Sequence, residues 1–300
     1  MSIGQEIKES FKQGTTHTKL IYINLGVFIA VNLVNVLMMF GGHADAFSLL
    51  PWLQLPSNPA ALALRPWTLV TYMFTHEGIL HILFNLLVFY WFGIIFLQFF
   101  SQKQLLSTYL WGGLAGGGLY ILAYNTLPVF ADVRYASDLI GASASIMAIV
   151  FAAAAYAPNY TVYLMFFGPV KLKYIALGYV VIDIVSMAGT NAGGHIAHIG
   201  GAVAGYLIAQ KIKQSKASNL GFGWVEGIFS SFGPRKSKMK VVHRRPLTDL
   251  EYNQVKAEHQ KHIDKILDKI NKSGYSSLTK EEREELFNMS NNTKKGEDIS

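Results

Sequence analysis

The sequence predicts an all-α membrane protein, a bundle of six transmembrane helices followed by a small helical tail. Three observations carry this. Hydrophobic residues make up 51% of the 300 and charged residues only 15%, against roughly 25% in a soluble domain. The apolar residues are gathered into long runs. The first run, Leu20–Phe40, holds no charge and is long enough to cross ~30 Å of hydrocarbon as a helix.

In order, residues 1–19 are polar and form a cytoplasmic N-terminal segment. They are not a secretory signal, because the apolar run that follows is too long and lacks a small-residue cleavage site. Residues 20–212 form the membrane core. After the first span, residues 41–67 make an outer loop too apolar to sit free in water, which places it in the interfacial zone with Trp52 and Trp67 as anchors. Further spans cover about Leu80–Phe100, Leu105–Leu127, Leu139–Ala157, Leu172–Ala188 and His195–Ala209. The shorter later runs suit helices buried among others. Gly112-Gly113 and Gly116-Gly117-Gly118 in span three permit close helix approach, as does Gly201-x-x-x-Gly205 in span six. The narrow partner expected for span six is span four, through Ala142, Ala144 and Ala148. Residues 213–248 read as a basic juxtamembrane linker. Residues 249–300 form a small helical cytoplasmic tail. Ile263, Ile266, Leu267 and Ile270 share one helix face, Ser273-Gly274 stops that helix, and Thr279-x-x-Glu282 caps a short one ending near Phe287.

Orientation follows from the basic residues. Lys8, Lys12, Lys19, Lys103, Lys171, Lys173, Lys211, Lys213 and Lys216 lie on one side of the six spans, whereas the other side carries chiefly Arg65 and Arg134. The positive-inside rule puts both termini in the cytoplasm. The net charge of +7 therefore serves topology and lipid contact, and no nucleic-acid partner is expected. The absence of cysteine excludes disulfides, cysteine nucleophiles and thiolate metal sites.

Polar groups at membrane depth mark function. Ser143 sits near the outer end of span four, within Gly141-Ala142-Ser143-Ala144, and His198 within Ala197-His198-Ile199-Gly200-Gly201 of span six. A serine and a base to take its proton are the residue types of nucleophilic catalysis. They point to a hydrolase working inside the membrane. His81 and Asn85, four apart on span two, can both donate toward one point, as stabilisation of a tetrahedral oxyanion needs. Each group also has a plainer reading. A His/Asn pair can fasten two helices, a membrane serine often bonds back to the carbonyl one turn earlier, and a lone histidine often bridges helices. That back-bond is the reading for Ser145, and core packing is the reading for Met147. Asp183 in span five could orient a histidine or pair elsewhere, and spacing does not assign it. His76-Glu77 begins like a zinc-peptidase motif. With His81 five residues beyond His76, however, one regular helix would set the two imidazoles about 140° apart, unable to share a metal.

Taken together, Trp67-x8-His76, His81-x-x-x-Asn85, Gly141-x-Ser143 and Ala197-His198-x-Gly200-Gly201-x-x-x-Gly205 resemble the rhomboid intramembrane serine proteases over about residues 20–212. The likeness is to the bacterial kind, with a six-span core and a cytoplasmic tail, which implies the inner membrane. The resemblance implies Ser143 as nucleophile and His198 as general base, a dyad without a carboxylate. It implies an oxyanion hole of His81, Asn85 and the Ser143 backbone N–H. It also implies single-span membrane proteins as substrates, cut in or next to the bilayer, with no cofactor and no metal. Ala144, Thr68 and Met147 stand where the family often has Gly, Arg and an aromatic residue; none removes a reacting group. Two other readings fit six spans: an inactive rhomboid-like binder of membrane clients, and a small transporter with polar residues lining a path.

Overall fold

The computed structural model describes residues 3–41, 48–164, 167–215 and 249–283, which fall into two compact units, one within 1–236 and one within 237–300. In the first unit each apolar run becomes a helix. After a short α1 (Ile3–Gln13), α2 (Thr16–Phe40) begins where the Thr15 hydroxyl accepts the Thr18 N–H at 3.3 Å. Three helical turns follow, α3 (Leu50–Leu53), α4 (Pro59–Leu64) and α5 (Thr68–Thr71). The longer helices are α6 (Ile79–Leu97), α7 (Gln102–Thr126), α8 (Ser143–Tyr156), α9 (Leu172–Ser186) and α10 (Ala192–Ser215). Helices α2, α6 and α7 are long and apolar enough to cross a membrane, and α8 is a shorter apolar helix.

The bundle has its apolar side chains outward as well as inward. Ile29, Leu33 and Leu37 of α2, Leu83 and Trp91 of α6, and Ile182 and Val185 of α9 are all exposed, as befits a surface facing lipid. Helix α8 is the hub, buried from Ala144 through Val150 and again at Ala152–Ala154. Its neighbours reach it through glycine. A Cβ on Gly201 would lie 2.0 Å from the Ala144 carbonyl oxygen, and one on Gly205 would lie 2.1 Å from that of Ala148. Rising numbers meet rising numbers, so α10 runs parallel to α8. A Cβ on Gly112 would meet the Ala148 methyl at 2.3 Å, and one on Gly116 would meet the Ala144 methyl at 2.6 Å, so α7 runs antiparallel. The expected close pairing of the fourth and sixth segments is therefore present. Apolar side chains gain little by leaving lipid for protein, so close backbone approach is a main source of attraction between such helices.

From residue 48 onward the segment before α6 is built of short helices and a strand. Strand β1 (Leu55–Pro56) pairs antiparallel with β2 (Asp138–Leu139), Leu55 opposite Leu139. Ser57 reinforces this through its N–H and its Oγ, both donating to the Ser137 carbonyl at 3.0 and 2.8 Å. Trp67 Nε1 donates to the Trp52 carbonyl at 2.8 Å, and both rings are about half exposed. Beyond α8, a hairpin of β3 (Thr161–Leu164) and β4 (Gly168–Lys171) leads into α9. Most of the predicted basic linker lies outside the described residues.

In the second unit, α11 (Asp249–Ser273) ends at Gly274, whose φ of 76° turns the chain back. Ile263 and Ile266 pack on Leu278, with Ile270 at the edge. The capping box forms: the Thr279 N–H donates to Glu282 at 2.7 Å and the Glu282 N–H to the Thr279 hydroxyl at 3.3 Å. The predicted end near Phe287 lies outside the described residues.

Two outcomes test this packing. Gly201→Ala drives a methyl into main chain that cannot swing aside, an overpacking cost of about 1–3 kcal/mol. The thermal midpoint of the purified protein should fall by several degrees, whereas Gly118→Ala, with nothing within 4 Å, should leave it in place. Equal midpoints for the two variants would contradict the contact. In the tail, the Lys269 ammonium first, then the Thr279 N–H, hold the Glu282 carboxyl below its ordinary range. A depressed carboxyl contributes stability that is full above the ordinary glutamate pKa and is lost as pH falls through the lowered value. Amide signals of Thr279 and Glu282 should lose their folded shifts earlier in urea at acid pH, and Glu282→Gln should flatten that dependence.

Candidate active site

The nucleophile candidate opens a helix. After β2 the chain turns at Gly141, with φ of +120°, and enters α8 with Ser143 as its first residue. The helix thus begins four residues later than the apolar run suggests, because Leu139 is spent on the strand pair. Glycine is required at 141 twice over. L side chains rarely adopt that φ, and a Cβ would sit 2.8 Å from Nε2 of His81 and 3.9 Å from Oγ of Ser143. So His81 and Ser143 flank the same glycine. The turn is tied down by the Gly141 N–H donating to the Tyr72 carbonyl at 3.0 Å and the Ala142 N–H to Nε2 of His76 at 3.4 Å. Ala142 offers no side-chain cap to α8. The first N–H groups of the helix lack helical partners and carry its positive end.

His81 and Asn85 both lie on α6. The Asn85 amide donates to the His81 carbonyl at 2.9 Å, and Asn85 is 8% exposed. It lines a cavity of about 140 Å³ together with Phe84 and Val88 of α6, Ser143, Ile146 and Met147 of α8, and Tyr179 of α9. Met147 therefore borders this space, one turn below Ser143, as well as packing in the core. The expected separation of His76 and His81 needs correction. Gly78, with φ of 81°, precedes the first turn of α6 and leaves His76 outside the helix, so the rings meet edge to face with centroids 5.0 Å apart. Ser145 also departs from expectation: its buried Oγ has no hydrogen-bond partner, so the back-bond to the preceding turn is not made.

The parallel register fixes the height of His198. Gly201 faces Ala144, so His198, three residues earlier on α10, is level with Gly141 at the mouth of α8. Among the described residues no hydrogen bond joins Ser143 to His198. Catalytic hydrogen bonds are often long without substrate and tighten on binding. Beside His198 lies what the sequence left unassigned. Oδ1 of Asp183, on α9, lies 2.8 Å from Nδ1 of His198 and 2.8 Å from Nδ1 of His195. Asp183 is 5% exposed. Its acid in an apolar run was the available signal, but its partners lie on another helix and no spacing pattern records that. These three ligand atoms lie within 4.8 Å of one another, as a divalent cation would need. The two N···O separations, however, are those of hydrogen bonds.

Residues 63–215, just over half of the chain, match the family model described as the rhomboid domain, and residues 248–292 match a family of unknown function (DUF6576). Among curated proteins, the chain is 30% identical over 162 residues to the mitochondrial RHOMBOID-like protein 12 of Arabidopsis thaliana, covering 51% of this chain and 48% of that one. It is 26% identical over 164 residues to the chloroplastic Rhomboid-like protein 16 of the same plant, covering 51% of each. The chain thus spans about half the length of the curated relatives it matches. With its apolar helices it fits an integral membrane protein, and by the match over residues 63–215 it belongs to the rhomboid family.

Proposed function

We propose that the chain is a serine endopeptidase that cuts peptide bonds in or next to the membrane spans of other proteins, with Ser143 as nucleophile and His198 as base. The observation that carries the reading is the convergence at Gly141. An uncapped helix opens there on a serine, His81 lies beside it, and packing through Gly201 brings His198 to the same height. In the reaction, Ser143 Oγ attacks the carbonyl carbon while its proton passes to Nε2 of His198. Negative charge gathers on the former carbonyl oxygen, where the free N–H groups at the start of α8, with His81 and Asn85, stabilise it. The imidazolium then protonates the leaving amine, and water, activated by the same imidazole, releases the acyl group. Substrates are single-span proteins whose helix unwinds locally, because a helical carbonyl is already hydrogen-bonded within its own chain. The six long helices cross the bilayer, with both termini on the basic, cytoplasmic side.

Ser143→Ala and His198→Ala should each abolish cleavage of a membrane-embedded reporter, and Ser143→Ala should do so without lowering the thermal midpoint. A fluorophosphonate probe should label the wild type at Ser143 and leave Ser145 untouched; labelling that survives Ser143→Ala counts against the assignment. Gly141→Ala should cut cleavage at least ~10-fold, since it strains the turn and displaces His81 together. Full activity in that variant would show that the turn does not set the site.

A further inference from the structure

We propose that Asp183 is a positioning residue for catalysis, holding the histidine of the Ser143–His198 dyad in one tautomer and one ring plane. This rests on the reading of Ser143 as nucleophile and His198 as base.

A carboxylate only accepts hydrogen bonds, so each Nδ1 that meets Asp183 Oδ1 at 2.8 Å carries the hydrogen. For His198 this fixes the tautomer with the lone pair on Nε2, the nitrogen that must take the Ser143 proton. The carboxylate also sets the ring plane. When the proton moves from Oγ to Nε2, the ring becomes an imidazolium whose Nδ1–H still points at Asp183, so the new positive charge forms beside a negative one. The proton then leaves from Nε2 to the departing amine, and Asp183 takes up no proton at any step. His195 uses the second lone pair of the same oxygen and is one turn nearer the start of α10. It holds the carboxylate in place and touches none of the reacting atoms.

A purely structural role is the competing account. Among the described residues of α9 the buried ones are Leu172, Ala176 and Asp183, so the carboxylate also ties the far end of that helix to α10. The two accounts differ in kinetics. Asp183→Asn keeps the size and can keep one hydrogen bond, but it loses the charge and the tautomer control. If Asp183 positions His198, this variant in liposomes should lower kcat for a membrane-embedded reporter by about 10²-fold. KM should change less than about threefold, and fluorophosphonate labelling of Ser143 should slow in parallel, because that small probe needs no docked helix. His195→Gln should retain most of kcat. Wild-type kcat in Asp183→Asn, or a loss confined to KM with normal labelling, overturns the proposal. If Asp183→Asn does not fold, the wild-type proton NMR spectrum decides. A far-downfield Nδ1–H signal that vanishes in His198→Ala and shifts when Ser143 is labelled by the fluorophosphonate supports the role, and a signal that is absent or unmoved by labelling overturns it. Cleavage surviving in Ser143→Ala would instead overturn the protease reading. Its loss there beside full activity in Asp183→Asn would overturn only the role given to Asp183.

Discussion

The structure depends on one contact, the approach of the α10 backbone to the α8 backbone at Gly201 and Gly205. Where lipid is as apolar as the protein, helices gain by touching closely, and nothing touches more closely than a glycine against a carbonyl. Here the Ala144 and Ala148 carbonyls fill the places that two side chains would otherwise take. The same contact sets the relative heights of Ser143 and His198. His198 is one turn from Gly201, and Ser143 is adjacent to Ala144, so a shift of one turn along this pair would change the height of the imidazole relative to the hydroxyl by about 5.4 Å. Packing and site geometry are one constraint.

A second constraint fixes the angle at which Ser143 is presented. The chain before α8 has no regular structure of its own to hold it. It borrows strength from the outer segment through the Leu55–Leu139 pairing, the Ser57 bonds to Ser137, and the Tyr72 carbonyl that takes the Gly141 N–H. Tyr72 is in turn anchored to α7, its hydroxyl donating to the Gly113 carbonyl at 2.6 Å. Irregular backbone near a membrane is stable where its polar groups are satisfied inside the protein, and these bonds do that while turning the chain sharply enough to leave the start of α8 uncapped.

What the sequence disclosed follows from what each signal measures. Apolar runs report burial or lipid contact over many residues, so all six long helices were legible. Their ends were not: Leu139 is as apolar as the helix after it, and pairing with Leu55, more than eighty residues away, decides that it is strand. Small residues at spacing four report a close helix face, and Gly201 and Gly205 delivered it. Residue type singled out Ser143, His198, His81 and Asn85 as candidates; Ser143 and Asn85 line one cavity, and Ser143 and His81 flank Gly141. Helix periodicity misled at His76 because Gly78 breaks the helix that the angle argument assumed. Asp183 was visible as an anomaly but not as a partner, since the bond that gives it meaning runs between helices.

That anomaly has a physical account. A carboxylate in an apolar helix is costly unless its lone pairs are used, and two imidazole N–H groups on one oxygen use them. Hydroxyls are held to a looser standard here: Ser145 and Thr108 keep buried oxygens with no partner, which an uncharged group tolerates at a cost of about 1–3 kcal/mol. A simple helix tie would be served at less risk by such a hydroxyl or by an amide, as Asn24 serves between α2 and α7 through Tyr109. A charge so placed, bonded to Nδ1 of His198, does what neutral ties cannot. It gives the ring a fixed tautomer before the proton arrives and a counter-charge after.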